Sequence, residues 1–228
     1  MSAELPYAIF QYIIDEGCAA RDQSQALKLP PMDQLAERLG VSRGKLREEL
    51  IAIQAYGIVE MRPGDGTYVR PFDYYTATKI LTLYAIECDR KYFDQLYRIR
   101  IQLEFAFWEE AARSLTQEDI DRLNHMLDCA EKKLHGTPVE IPHNEHRQFH
   151  IIIFSKLEND FAQGILNAYW DAYEAVGLHR YFELSYYESM WSSHREMVEA
   201  IRDGRFEDGK NVLAHHFTLL GDRLSDKH

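Results

Sequence analysis

Four of the chain's ten histidines fall on the apolar faces of helical segments. His146 and His150 are spaced i, i+4 and share a face with Ile153. His194 keeps helical register with Met190, Trp191, Val198 and Ile201, and His216 sits between Val212 and Leu219. The spacing therefore predicts four inward imidazoles on three separate helices. Imidazoles converging from facing helices are the ligands a divalent cation needs at the centre of a bundle. The plain alternative is a set of hydrogen-bonded core histidines. Arg100 likewise interrupts an apolar stripe, of Leu96, Leu103 and Phe107. The remaining histidines (His125, His135, His143, His179, His215 and His228) fall on polar faces, in loops or at the chain end.

A second chemistry stands near the N-terminus. Arg43, Lys45 and Arg47 occupy the first turns of a helix whose opposite face carries Leu46 and Leu50, and Ser42 is suited to cap it. An arginine fork matches guanine O6 and N7, while a lysine or a helix N-terminus holds phosphate. Arg62 lies just before Gly64, whose missing side chain lets a turn approach a nucleic-acid backbone closely. A solvated basic helix face is the alternative.

The elements that must position these groups change character near residue 72. Before it the pattern predicts helices over 7–16, 32–39 and 43–56, with Gly40 in the turn between the last two. Short β-rich runs at 58–61 and 67–69 flank Pro63-Gly64-Asp65-Gly66, a hairpin signature. Two helices, a tight turn and a hairpin make a winged helix–turn–helix. Residues 72–78 read as a linker. Helices then follow at 79–87, 92–114, 116–134, 144–156, 160–181, 185–203 and 206–224, opened by capping signals at Thr116 and Asn159. Their short connections predict an antiparallel bundle. The expected fold is thus mainly α: a winged helix–turn–helix with a two-stranded wing over residues 1–72, and an all-α antiparallel helical bundle over 73–228.

Composition narrows the function classes. The chain has 228 residues, 46% hydrophobic and 28% charged, enough apolar content to exclude intrinsic disorder. Its longest purely apolar run, 151–154, is far short of the ~20 residues of a membrane span. No secretory signal is expected, because the N-terminus lacks a basic flank and a continuous apolar core. Cys18, Cys88 and Cys129 are scattered and odd in number, which argues against a disulfide framework and for a reducing, cytoplasmic compartment. The net charge of −11 divides unevenly: residues 1–72 hold 8 basic and 10 acidic residues, and the remainder 18 and 27. The acidic excess thus lies mainly in the helical part, leaving the cations around Arg43 to act locally.

The run Leu35-Ala36-Glu37-Arg38-Leu39-Gly40-Val41-Ser42-Arg43-Gly44-Lys45-Leu46-Arg47-Glu48-Glu49-Leu50, followed by Tyr56-Gly57-Ile58-Val59 and Arg62-Pro63-Gly64-Asp65-Gly66-Thr67-Tyr68-Val69, resembles the GntR-type bacterial transcription regulators. That resemblance implies a homodimer on a palindromic double-stranded DNA operator, with Ser42, Arg43 and Arg47 at the DNA and the wing tip around Gly64. Two departures stand out. Residues 17–28 lack the family's Gly/Pro-rich turn, and Asp33 occupies a position where relatives often carry a basic DNA-contacting residue. An acid there would repel phosphate, so no DNA contact is assigned to that helix.

Further along, Arg100-Ile101-Gln102-Leu103-Glu104 with Ala111-Ala112, Phe149-His150 with Asn159, His194 before Met197, and Gly204 with Leu213 and His216 resemble the FCD domain, the all-helical effector domain of the FadR-like branch. Many such domains hold a divalent metal through one Asp and three His, which the resemblance maps onto His150, His194 and His216. The Asp position is His146 here. Four neutral imidazoles leave a divalent site at a formal +2, where an Asp would leave +1. All-nitrogen ligation favours zinc, with nickel or cobalt as alternatives, over magnesium or manganese. With Arg100 as a second cationic anchor, a small organic-acid effector is expected. The expected function is a metabolite-responsive transcription regulator rather than an enzyme. A metal sensor is the first alternative. A His-site metalloenzyme is the second, weakened because Glu145 and Glu196 leave the inward face and no His-Glu-x-x-His motif occurs.

Overall fold

The computed structural model describes residues 5–19, 27–177 and 183–225, with 17–19 and 220–225 by backbone alone. The chain divides into two compact units, Met1–Ala77 and Thr78–His228.

In the first unit, α1 (Ala8–Ala19), α2 (Met32–Leu39) and α3 (Arg43–Ala55) precede strands β1 (Val59–Arg62) and β2 (Gly66–Val69). Gly40 takes φ 65°, a left-handed conformation that costs glycine little, and turns the chain from α2 into α3. Ser42 caps α3 by accepting a hydrogen bond from the Lys45 backbone N–H at 3.2 Å. Leu46, Leu50 and Ile53 on one face of α3 pack against Ile9, Leu35 and Val59. Burying that face leaves Arg43, Lys45 and Arg47 exposed. The strands pair antiparallel, with Val59 opposite Val69 and Arg62 opposite Gly66. A short edge extends this wing: Leu29 N–H donates to Thr67 O and Val69 N–H to Leu27 O, each at 2.8 Å. The departure noted at 17–28 lies largely outside the described residues.

Helix α4 (Tyr74–Cys88) begins in the first unit and ends in the second, which is otherwise α5 (Lys91–Ser114), α6 (Gln117–Leu134), α7 (His143–Phe154), α8 (Asp160–Val176), α9 (Leu184–Arg202) and α10 (Phe206–Ser225). The expected linker is largely helical, because α4 begins at Tyr74. Asp73 starts it, its carboxylate accepting the Tyr75 N–H at 2.9 Å and the Thr76 hydroxyl. The 160–181 helix ends at Val176, where Gly177 adopts φ 65°. The rest of that expected span lies outside the described residues. The Thr116 signal is a full capping box with Asp119, whose carboxyl these hydrogen bonds hold below its ordinary range.

Helix α5 packs on α7, α8 and α10, and α9 packs on α6 and α10. Trp108, Leu123, Leu127, Phe149, Met197 and Leu213 are buried at the centre. The inward stripe of α5 is Phe93, Tyr97, Arg100, Glu104 and Trp108. Arg100 does face inward, but Leu96, Leu103 and Phe107 are only half-buried beside it. No helix among the described residues is long and apolar enough to cross a membrane.

Candidate metal centre and nucleic-acid interface

The cations of the first unit lie where helix period and hairpin register put them, and most have an acid beside them. Arg43 Nε is 2.9 Å from Asp33 Oδ1, and Lys45 Nζ is 4.0 Å from Glu49 Oε1. Arg62 Nη2 donates to Glu60 Oε2 at 2.9 Å, and its guanidinium lies 4.3 Å over the Tyr68 ring. Lys28 Nζ meets Asp65 Oδ1 at 3.0 Å. The hydrogen bond Arg62 donates to Glu60 raises the Arg62 pKa, and the one Lys28 donates to Asp65 lowers that of Asp65. Among the described residues Arg47 enters no ion pair. At the wing tip Gly64 has φ 75°, with open space where a Cβ would stand. Exposed cations at a helix N-terminus beside an open glycine tip can meet a duplex backbone and a base edge together.

The second unit brings all four inward histidines together. Helix α7 supplies His146 and His150, α9 His194, and α10 His216. Each is at most 5% exposed, and one potential ligand atom from each lies within 4.8 Å of all the others. His146 Nε2, His194 Nδ1 and His216 Nδ1 are buried without a hydrogen-bond partner. A buried ring nitrogen left unpaired forfeits its hydration with no return. Three such atoms in one pocket are what a cation would satisfy, so these residues fit a divalent metal. Burial first, then Arg100 and, for all but His150, neighbouring histidines, push the four imidazoles well below their ordinary pKa. The rings are therefore neutral at pH 7, the form that ligates.

Beside the cluster lies a group that sequence reasoning left without a role. Glu104, fully buried on α5, receives Arg100 Nε at 2.7 Å on Oε1 and Nη2 at 3.4 Å on Oε2. Its Oε2 is also 3.0 Å from His150 Nδ1. A proton on that nitrogen shared with Glu104 leaves the His150 Nε2 lone pair for the cluster. Arg100 Nη1 donates to Tyr169 Oη at 3.2 Å, and Nη2 lies 3.2 Å from both ring nitrogens of His150. Tyr169 and Trp170 of α8 each place a ring 4.7 Å from the guanidinium carbon. Burial works against the Arg100 charge, but Glu104 holds its pKa above the ordinary arginine value. Burial likewise raises the Glu104 carboxyl, against the pull of Arg100. The available signal was the i, i+4 spacing of Arg100 and Glu104. A cavity of about 120 Å³ lined by Glu104, His150, Asn167 and Trp170 adjoins this group.

Glu145, expected to leave the inward face, is buried, but it turns to Lys133 at 2.8 Å. Glu196 is exposed. His125, His135, His143 and His215 are exposed as expected, and His179 and His228 lie outside the described residues.

Two family descriptions match this arrangement. Residues 25–69 match "Bacterial regulatory proteins, gntR family", and residues 95–219 match "FCD domain". The chain belongs to the GntR family of regulators with an FCD domain. This FCD-type GntR chain is thus a DNA-binding transcription regulator and not an enzyme, which removes the metalloenzyme alternative. GntR regulators bind DNA operators and typically act as dimers. Among similar proteins is the Uxu operon transcriptional regulator of Escherichia coli, 26% identical across 98% of this chain and 88% of its own length. The HTH-type transcriptional regulator LutR of Bacillus subtilis is 24% identical across 87% and 91%. An Escherichia coli protein named for the L-lactate dehydrogenase operon is 25% identical across 95% and 86%. The solved Streptococcus agalactiae GntR shares the fold, with a TM-score of 0.67 at 20% identity over 93% of this chain and 94% of that one. The basic residues from Arg43 to Arg62 fall in the first matched segment. Arg100 and the four histidines fall in the second.

Proposed function

We propose that this regulator holds a divalent transition metal on His146, His150, His194 and His216 and binds a small organic acid there, changing its affinity for a palindromic operator. The observation that carries this reading is the convergence of four buried neutral imidazoles with three unpartnered nitrogens. The all-nitrogen donor set suits zinc, with nickel or cobalt next. When bound, the ion supplies positive charge that attracts a carboxylate. Glu104 orients His150, and Arg100 contributes a guanidinium beside the pocket. One relative is named for an L-lactate dehydrogenase operon, whose enzyme acts on a small organic acid.

At the other end of the chain, Ser42 fixes the start of α3, Arg43 and Arg47 read or clamp DNA, Lys45 holds phosphate, and Arg62 with Gly64 places the wing on the backbone. In a homodimer, an effector that binds one of two states more tightly shifts the spacing of the paired DNA-binding units. The Arg100–Glu104 contact also favours a second reading. Arg100 is already compensated, so the metal itself can be the signal.

The test is metal analysis of purified protein with titration of organic acids, for wild type and His194→Ala. Loss of both metal and acid binding is expected. Unchanged metal content and acid affinity would sink the proposal. Metal-dependent operator binding that no acid alters would select the second reading.

A further inference from the structure

The pair formed by Asp33 and Arg43 carries an inference about how the operator is read. It rests on the reading that the start of α3 faces DNA. Asp33 lies in the first turn of α2, where the helix dipole favours a carboxylate. An unpaired acid on a DNA-facing surface would repel phosphate. Here the acid meets Arg43, and does so through Nε, the guanidinium nitrogen nearest the chain, at 2.9 Å. Contact at Nε leaves the outer fork, Nη1 and Nη2, for a bidentate partner. Both side chains are about two-thirds exposed, so the fork is accessible. Arg47, one turn further along α3, has no ion-pair partner among the described residues.

We infer that Asp33 is a specificity-determining residue: it orients the Arg43 fork toward the O6 and N7 of a guanine in the major groove and keeps Arg43 off phosphate. A long side chain held before binding loses less freedom when it docks. A guanidinium already paired to an acid also gains less from a bare phosphate, which suppresses sequence-independent binding. Affinity for random DNA is thereby exchanged for discrimination at one base pair of each half-site.

The experiment selects sites from a random duplex pool with wild type, Asp33→Ala, Asp33→Asn and Arg43→Ala. Affinities are then measured on the wild-type consensus and its single-base variants. Arg43→Ala is expected to erase the preference for one guanine. Both Asp33 variants should weaken that same preference by about tenfold, within the range of one bidentate contact. They should also bind random DNA more tightly, with a steeper salt dependence. A variant combining Asp33→Ala with Arg43→Ala should discriminate no worse than Arg43→Ala alone, since the two residues act as one unit. Asp33 variants that tighten on every sequence alike, with the guanine preference intact, would overturn the inference, and so would additive losses. Wild-type selection by Arg43→Ala would break the assignment of α3 to the DNA, and this inference with it.

Discussion

The two units use the same chemical pair in opposite settings. In the first, Arg43 and Asp33 meet at 2.9 Å with side chains 67% and 70% exposed. In the second, Arg100 and Glu104 meet at 2.7 Å with side chains 2% and 0% exposed. An exposed pair contributes at most about 1 kcal/mol, because water and salt screen it. Such pairs rearrange cheaply, so Arg62 can exchange Glu60 for a nucleic acid, and Arg43 can keep Asp33 at Nε while its outer fork takes a new partner. A buried pair is different: removing one member strands the other charge away from water, at a cost of about 3–5 kcal/mol. The Arg100–Glu104 pair is therefore a fixed wall of the histidine cluster. Burial, rather than residue type, separates a contact that can be traded from one that cannot.

The sharpest way to break this comparison is to remove the acid from each pair. Glu104→Ala should lower unfolding stability by about 3–5 kcal/mol, and Asp33→Ala by less than about 1 kcal/mol, both read from denaturant midpoints. Similar losses in the two variants would show that the setting does not matter.

Acidification comes next. Above pH 6.5 the four histidines are neutral whether the protein is folded or unfolded. As pH falls below that value, the unfolded chain takes up protons that the folded cluster, with its lowered pKa values, does not. Stability is therefore full above about pH 6.5 and is lost progressively toward the lower folded values. Thermal melts of metal-free protein at pH 7.5 and 5.5 should show the drop. Added zinc should raise the melting temperature at both pH values without moving the onset, which the unfolded chain's proton uptake sets. A melting temperature independent of pH across this window would contradict burial of four neutral rings.

In the first unit, Arg47→Ala should weaken operator binding by about 1–3 kcal/mol if it reads a base, while leaving the melting temperature in place. Fluorescence anisotropy on the selected site measures this. A drop in stability instead would make Arg47 a packing residue. The smallest effect expected in the second unit is Thr116→Ala, which removes one arm of the capping box at about 1 kcal/mol. A loss several times larger in chemical denaturation would show that Asp119 needs Thr116 for more than the helix start.

Much of this protein was legible from local pattern. Gly40, Ser42 and the glycines of the wing each meet a demand of the backbone within a few residues, so the winged helix–turn–helix follows from spacing. The inward faces of His146, His150, His194 and His216 were legible for the same reason, since helix period ties each to its apolar neighbours. Local pattern misled at 72–78, where aromatic and β-branched residues masked the helix start that Asp73 provides. It also ran past Val176, because a helical period does not say which glycine ends it.

Local pattern was enough for the winged helix–turn–helix, the basic start of α3 and the sidedness of four histidines, because these depend on contacts within one turn or one hairpin. Helix packing brings ligand atoms from α7, α9 and α10 within 4.8 Å of one another and makes Glu104 the acid joining Arg100 to His150. It alone also set Asp33 of α2 beside Arg43 of α3. Those meetings depend on how separate helices pack. A charged residue's partner on another helix leaves no trace in the residue's own neighbourhood.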